Sequence, residues 1–285
     1  AAATADERTA GRAAGAAGAA GRGAVPAAAA PPLLEAVDLA KHFDGVHAVD
    51  GVSFALAAGE LAALIGPNGA GKSTLFGLLS GQHRPTRGAV RFDGQRIDTR
   101  GAAARAQAGI GRTFQTAQAF GTLSVRENLQ LALAARAGRV RDPWTPLRAL
   151  YAADAEALLA QVGLADRAAR AAADLPYPDT KRLELAIALA GSPRLLLMDE
   201  PTAGMAAAER FALMDLVRQV AADGALTVLF TEHSMEVVFG YARRVLVMAR
   251  GALIADGAPD QVRRDPAAQA AYFGAAESDA AEPAR

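Results

Sequence analysis

The chain has 285 residues, enough to bury a sizeable core in one domain, or in one domain with a small second lobe. Its 30 basic and 30 acidic residues cancel, so the composition gives no overall attraction to nucleic acid or anionic lipid. The absence of Cys excludes disulfides and thiolate chemistry, and no run of about 18 strongly apolar residues suggests a membrane span. We therefore expect a cytosolic protein that reaches a membrane only through a partner.

The two ends of the chain differ in composition from the rest. Residues 1–30 are mostly Ala and Gly with scattered Arg, and they lack apolar periodicity. Such a segment cannot bury enough surface to offset the entropy lost on ordering. We predict disordered tails at residues 1–30 and 275–285, with one folded domain over residues 31–274.

A glycine-rich loop follows the first strongly apolar run. Residues 33–60 alternate apolar and polar positions in short runs, which predicts a small antiparallel sheet that leads into a buried strand at residues 61–65. The loop GPNGAGKST comes next, and a helix is predicted to begin near Lys72. Its glycines let backbone N–H groups point inward, and the helix N-terminus adds a positive dipole end. We predict a phosphate cradle in which Lys72 reaches the β- and γ-phosphates and the Ser73 hydroxyl binds magnesium. The nucleotide-binding positions of the cradle are Gly66, Pro67, Asn68, Gly69, Ala70, Gly71, Lys72, Ser73 and Thr74.

A second element of the site is the segment RLLLMDEP at residues 194–201. Four apolar residues followed by two carboxylates predict a buried strand whose C-terminal end opens into the site, where ligands collect in open α/β sheets. We predict that Asp199 holds magnesium through water and that Glu200 activates the attacking water as general base.

These segments, together with GIGRTFQ, PTAGM and FTEHSM, make residues 33–274 resemble the ATP-binding subunit of an ABC transporter. The segments RTFQ, VRENL, RLELA, DEPTAGM and GAPDQVRRDPAAQAAYFG look most like ATPases of branched-chain amino-acid uptake, although related urea and amide importers share much of this pattern. The resemblance implies an α/β fold, a P-loop NTPase of the ABC type, with a mixed core sheet, an antiparallel β subdomain and a helical lobe at about residues 116–180. It also implies ATP and Mg²⁺ as cofactors.

The resemblance assigns roles to three further residues. Phe43 matches the aromatic residue that stacks on adenine, with an ordinary core or surface Phe as the alternative. Gln115 matches the residue that touches magnesium and the attacking water and links to the membrane subunit. His233 matches the histidine that contacts the γ-phosphate and steadies the catalytic geometry. The other histidines, His42, His47 and His83, show no ligand spacing and are interpreted as surface residues.

The helical lobe carries a second candidate interaction segment. Apolar residues at three- and four-residue steps in SVRENLQLALAARA and ADAEALLAQVGL predict two helices. Between them, residues 138–151 are interrupted by proline and carry the sole Trp, Trp144. In the family this lobe receives a helix from the membrane subunit, so the segment is a candidate docking site. A surface loop with one buried Trp is the alternative.

The chain departs from the family pattern at the signature LSGGQ. Asp179 lies twenty positions before Asp199, the spacing that the family keeps between the last signature residue and the magnesium-site Asp. This spacing sets Pro176 on the Ser of the family signature, so the Ser hydroxyl is absent, and Pro178 lacks a backbone N–H. Asp179 adds a negative charge near an anion. A helix can still start there, because proline is tolerated in the first turn. Ala206 stands where many relatives have Asp. The degenerate signature consists of Leu175, Pro176, Tyr177, Pro178 and Asp179.

The resemblance also implies partners. We expect an ATPase subunit of an importer that is peripheral to the cytoplasmic face of the inner (plasma) membrane and binds integral-membrane permease subunits. We also expect an extracytoplasmic solute-binding protein, a heterodimer with a second ABC ATPase, and no nucleic acid. One alternative is a nucleotide-binding regulatory subunit with little turnover. The other is a soluble ABC factor of translation or repair, a class that usually carries two ATP units or long coiled coils, neither of which is present in this sequence.

Overall fold

The computed structural model describes residues 31–113, 119–138 and 150–273, which form two β-sheets and the helices packed around them. Both predicted tails, Gln115 and Trp144 lie outside these residues. The strands are β1 (Leu34–Phe43), β2 (Val46–Leu56), β3 (Leu61–Ile65), β4 (Arg87–Phe92), β5 (Gln95–Arg96), β6 (Ile110–Arg112), β7 (Leu195–Asp199), β8 (Thr227–Thr231), β9 (Arg244–Ala249) and β10 (Ala252–Gly257). The α-helices are α1 (Lys72–Ser80), α2 (Ala102–Gln107), α3 (Val125–Arg136), α4 (Ala152–Gln161), α5 (Tyr177–Ala190), α6 (Ala207–Val220), α7 (Met235–Tyr241), α8 (Pro259–Arg264) and α9 (Pro266–Ala268). Short 3₁₀ turns lie at Ala165–Arg167 and Ala172–Asp174, and a π-turn lies at Gln269–Phe273.

The first sheet is antiparallel, with the strand order β2-β1-β4-β5. The tight turn between β1 and β2 is made by Asp44 and Gly45, which both have positive φ, 39° and 90°. Such turns match the right-handed twist of a hairpin. This sheet is the antiparallel subdomain that the sequence predicted.

The second sheet has the order β10-β9-β3-β8-β7-β6 and is parallel except for the β9–β10 pair. Every residue of β3, β7 and β8 is buried, as expected of parallel strands covered on both faces. Leu64 of β3 and Asp199 of β7 both pair with Thr231 of β8. The loops that follow these three strands therefore leave the sheet side by side.

The helices agree with the sequence predictions at the positions that matter for the site. The strand at Leu61–Ile65 and the helix beginning at Lys72 lie where they were predicted. The helix expected at the signature begins at Tyr177, and Pro178 occupies its second position, where the missing N–H is not needed. Helices α3, α4 and α5 pack on one another, and a Ser124–Glu127 capping box begins α3. None of the helices in the described ranges has the length and hydropathy of a membrane-spanning segment.

Candidate active site

The loop between β3 and α1 is held in a conformation that requires glycine. Gly66, Gly69 and Gly71 have φ of +156°, +76° and +101°. A Cβ on Gly66 would lie 2.1 Å from the carbonyl oxygen of Met248, and one on Gly71 would lie 2.1 Å from that of Ala48. The loop is therefore wedged between the two sheets and cannot accept a side chain at Gly66 or Gly71.

Lys72 folds back over this loop. Its Nζ donates to the carbonyl oxygens of Gly66, at 2.7 Å, and Pro67, at 3.1 Å. Burial lowers the pKa of Lys72, and the nearby carboxylates of Glu200 and Asp199 oppose that shift. The structure thus places one ammonium group between the glycine loop and the two acids that the sequence singled out.

A cavity of about 400 Å³ lies in front of the loop. Ser73, in the first turn of α1, and Glu200, directly after β7, both line it. Phe43 does not line this cavity; its ring is 40% exposed and meets His83 edge to face, with centroids 5.5 Å apart. The cavity is lined by residues 68–74 and by Val46, His47, Ala48, Glu200 and Arg250.

Thr231 fixes both acids at the end of β7. Its hydroxyl donates to Asp199 Oδ1 at 2.8 Å and accepts from the Glu200 N–H at 2.9 Å. The Glu200 backbone has φ of +50°, a left-handed conformation that costs a non-glycine residue on the order of 1–3 kcal/mol. This constraint turns the Glu200 side chain out of the strand direction and into the cavity.

His233 and Glu200 are brought into hydrogen-bonding contact. His233 Nε2 lies 2.9 Å from Glu200 Oε1. The buried Glu232 joins the two loops that carry these residues. Its Oε1 accepts from the N–H and the hydroxyl of Thr202, at 2.9 and 2.6 Å. Its Oε2 accepts from the His233 N–H at 3.2 Å. Glu232 was not predicted from the sequence; the available signal was an acid directly before His233.

Arg112 is a second residue that the sequence analysis missed. It ends β6, opposite Leu197 of the neighbouring β7, so its side chain lies close to the acids that follow β7. One guanidinium nitrogen lies 3.3 Å from Asp199 Oδ2, and the other donates to Ser80 Oγ at 2.9 Å and Gln82 Oε1 at 2.7 Å. Burial lowers the pKa of Arg112, and Asp199 opposes this shift. Its place in GIGRTFQ, next to the predicted Gln115, was the available signal.

The oxygen donors at the site fit magnesium. Ser73 offers a hydroxyl and Asp199 a carboxylate, and hard divalent cations prefer such ligands. Gln115, the third predicted ligand, lies outside the described residues.

The degenerate signature starts α5 without a glycine. The Pro176 carbonyl accepts from the N–H groups of Asp179 and Thr180, both at 3.0 Å, and the Tyr177 hydroxyl donates to the Ala203 carbonyl at 2.9 Å. The Asp179 carboxylate is buried and forms an ion pair with Arg167. The pair with Arg167 offsets the charge of Asp179, and the effect of Asp179 on a bound phosphate stays a prediction. Leu175 is buried and packs in the core.

Two of the histidines interpreted as isolated surface residues are neighbours. His42 and His47 pair across the β1–β2 hairpin and stack with ring centroids 3.8 Å apart, and His47 Nδ1 lies 3.6 Å from Asp50 Oδ2. Ligand atoms of the three residues lie within 4.8 Å of one another. The ring planes differ by only 22°, so the in-plane lone pairs of the two histidines do not converge on one ion.

Comparison with known proteins identifies the family. A family model described as ABC transporter matches residues 49–203, and one described as branched-chain amino acid ATP-binding cassette transporter matches residues 252–278. The high-affinity branched-chain amino acid transport ATP-binding protein BraF of Pseudomonas aeruginosa is 35% identical over 257 residues, which cover 86% of this chain and 99% of that protein. LivG of Escherichia coli, which has the same description, is 35% identical over 252 residues with the same coverage.

More distant relatives and solved structures agree. The ribose import ATP-binding protein RbsA 1 of Rubrobacter xylanophilus is 37% identical over 237 residues, 82% of this chain but 46% of that protein. The ADP conformation of MJ1267, an ATP-binding cassette of an ABC transporter, superposes with a TM-score of 0.77 at 30% identity and covers 86% of this chain and 99% of that one. The chain therefore belongs to the ABC transporter family, as one of its ATP-binding and ATP-hydrolysing subunits.

Proposed function

We propose that this chain is the ATPase subunit of an importer for branched-chain or related amino acids, and that it works at the cytoplasmic face of the membrane through permease subunits. The observation that carries the enzymatic part is that Lys72 and Glu200 line one cavity and that His233 lies 2.9 Å from Glu200. The solute class is supported by the full-length similarity to BraF and LivG and by the match at residues 252–278.

In this proposal the cradle binds the ATP phosphates through the amides of residues 66–74 and the Lys72 ammonium. Ser73 and Asp199 would hold Mg²⁺, with Gln115 as a further ligand, and the ion would supply positive charge next to the phosphates. Glu200 accepts a proton from the attacking water, and His233, 2.9 Å away, holds the carboxylate in place and faces the γ-phosphate. Phe43, which is exposed and does not line the cavity, is proposed to stack on adenine outside it.

We place the permease contact in a cleft between the core and the helical lobe, which we call the lobe cleft. It has a volume of about 510 Å³ and walls that are mostly apolar. Two cations, Arg112 and Arg136, face it from opposite sides. Its occupant is a short cytoplasmic helix of a permease subunit that carries a hydrogen-bond acceptor for one of these arginines. The lobe cleft is lined by Ser80, Gln82, Ala102, Ala103, Ala106, Gln107, Ile110, Gly111, Arg112, Ala132, Ala135, Arg136, Ile187, Ala188, Gly191 and Pro193.

We further propose that the second ATPase of the complex is a different chain with an intact signature, and that the system includes an extracytoplasmic solute-binding protein. In the head-to-tail dimer of the family, each signature faces the cradle of the other subunit. Pro176 and Pro178 leave this signature short of two donors, each worth about 1.5–3 kcal/mol to a charged phosphate. The site that uses this signature would then lose about a hundredfold or more in rate. A homodimer would have two weakened sites, and a heterodimer only one.

The test is turnover of the assembled transporter after Glu200→Gln here and, separately, after the equivalent change in the partner. We expect strong loss from the first and mild loss from the second, because Glu200 serves the site completed by the intact signature. Glu209→Gln is the control, since the contact of Glu209 among the described residues is the Ala206 N–H at the exposed start of α6. Equal losses, or a fully active homodimer, would refute the asymmetry. Turnover that survives Glu200→Gln would instead support a regulatory subunit, and uptake of leucine, urea and ribose by reconstituted vesicles would decide the solute.

A further inference from the structure

Arg112 belongs to two sites at once. Together with Ser80 and Gln82 it lines the lobe cleft, and the same guanidinium pairs with Asp199 at the magnesium position. The Arg112 side chain is 11% exposed and that of Asp199 is 6% exposed, so little water screens the pair. A single side chain therefore spans the distance between the proposed permease contact and the proposed metal ligand.

The pairing opposes metal binding at Asp199. Thr231 occupies Oδ1 and Arg112 lies against Oδ2, so both carboxylate oxygens already have donors. A guanidinium beside the carboxylate also places a positive charge close to where the cation must sit, and two like charges repel strongly in a poorly screened environment. Release of Arg112 would free one oxygen and remove that repulsion.

Two further described contacts of Arg112 lie on the cleft side. Ser80 and Gln82 offer neutral acceptors, and Gln82 is exposed. A carboxylate or a helix C-terminal carbonyl on a docked permease helix would be a stronger acceptor, because charge-assisted hydrogen bonds are roughly twice as strong as neutral ones. Such an acceptor would compete with Asp199 for the guanidinium.

We propose that Arg112 is a positioning residue that withholds Asp199 from Mg²⁺ until an acceptor on the docked permease helix draws the guanidinium into the lobe cleft. The proposal rests on the proposed function, and it adds a direct, charge-based link from the permease to metal affinity. It predicts that docking tightens metal binding before any change in hydrolysis.

The test measures Mn²⁺ binding by electron paramagnetic resonance in the presence of ATP, using the isolated chain and the assembled complex. In the assembled complex, the cradle lysine of the partner ATPase is replaced, so that only the cradle of this chain binds ATP and Mn²⁺. In the isolated chain, Arg112→Gln should lower the Mn²⁺ concentration for half-saturation roughly tenfold, because a positive charge leaves the metal site. Arg112→Lys, which keeps the charge, should stay near the parent value. Arg136→Gln is the matched control: Arg136 lines the same cleft, but its described contact is with Ser192.

In the assembled complex the gain from Arg112→Gln should shrink to less than twofold. The parent protein gives a test without any variant, since its half-saturation should fall roughly tenfold on assembly with the permease. Unchanged or weaker Mn²⁺ binding by Arg112→Gln, an equal gain in the complex, or a parent value indifferent to assembly would overturn the proposal. An isolated parent chain that binds no ATP at any Mn²⁺ concentration would refute the proposed function instead.

Discussion

Glu232→Gln is the sharpest test of how the catalytic loops are held together. The Glu232 carboxylate is 4% exposed and accepts three hydrogen bonds, two from Thr202 and one from the His233 N–H. An amide keeps the shape but offers only one acceptor oxygen. If that oxygen stays with Thr202, the new NH₂ group faces the His233 N–H, and two donors then oppose each other.

The size of the effect follows from these contacts. Hydrogen bonds to a charged acceptor contribute about 1.5–3 kcal/mol each, and a buried N–H left without an acceptor costs about 1–3 kcal/mol. We therefore expect Glu232→Gln to destabilise the protein by about 1–3 kcal/mol. Because the loop with His233 is loosened, His233 should no longer fix Glu200, and kcat should fall by at least tenfold. The cradle is separate from Glu232, so the affinity for ATP should change less than twofold.

The assay is a titration of ATPase rate against MgATP, alongside urea unfolding and nucleotide binding. Glu127→Gln is the control, since Glu127 also accepts a backbone N–H and a hydroxyl, both from Ser124, but at the start of α3. It should destabilise the protein without a selective loss of kcat. Two results would show that Glu232 does not act by positioning His233. One is an equal loss of stability in both variants with equal kcat. The other is a Glu232→Gln variant that loses ATP affinity rather than kcat.

Two other substitutions follow from the same structure. Lys72→Ala removes the ammonium group that donates to the Gly66 and Pro67 carbonyls. It should weaken ATP binding by about 1.5–3 kcal/mol, which is roughly 10- to 150-fold in Kd measured by equilibrium dialysis. An unchanged Kd would contradict the assignment of the glycine loop as the phosphate cradle. Arg105→Met removes a fully buried guanidinium, with a pKa lowered by burial to about 10, that donates to the Leu78 and Leu79 carbonyls at the end of α1. Thermal unfolding of Arg105→Met should show a loss of stability of about 1–3 kcal/mol for each carbonyl left without a donor. Arg100→Met, at an exposed position, should leave the stability nearly unchanged. Equal stabilities of the two variants would refute the capping role of Arg105.

The sequence was informative wherever function depends on local spacing. Leu61–Ile65 and the helix from Lys72 were predictable because a fully apolar run and a glycine loop leave few alternative conformations. The position of Asp199 and Glu200 after a buried strand followed from the same kind of reasoning. These predictions need only the chain within about ten residues of the motif.

The contacts that sequence reasoning missed are between segments far apart in the chain. Arg112 reaches Asp199 because β6 and β7 are adjacent strands, an adjacency that no local pattern encodes. Arg167 neutralises Asp179 from a 3₁₀ turn twelve residues earlier, although the sequence alone suggested an unpaired charge at the signature. Charge at a motif position is therefore a weak guide to the field there until its tertiary partner is known.

Pro176 and Pro178 remove hydrogen-bond donors at the start of α5, but α5 stays connected to the loops that carry Glu200 and His233. The Tyr177 hydroxyl holds the Ala203 carbonyl, and Ala203 follows Thr202, which Glu232 binds. Glu232 in turn holds the His233 N–H. Under the proposed head-to-tail dimer, one chain thus links its signature, which would serve the partner's nucleotide, to the histidine proposed to serve its own. A signature that has lost phosphate donors but kept this series of hydrogen bonds can still couple the neighbouring nucleotide site to His233. For that reason a weakened second site is compatible with a working heterodimer, whereas loss of the Tyr177 contact would separate the two sites even with an intact signature.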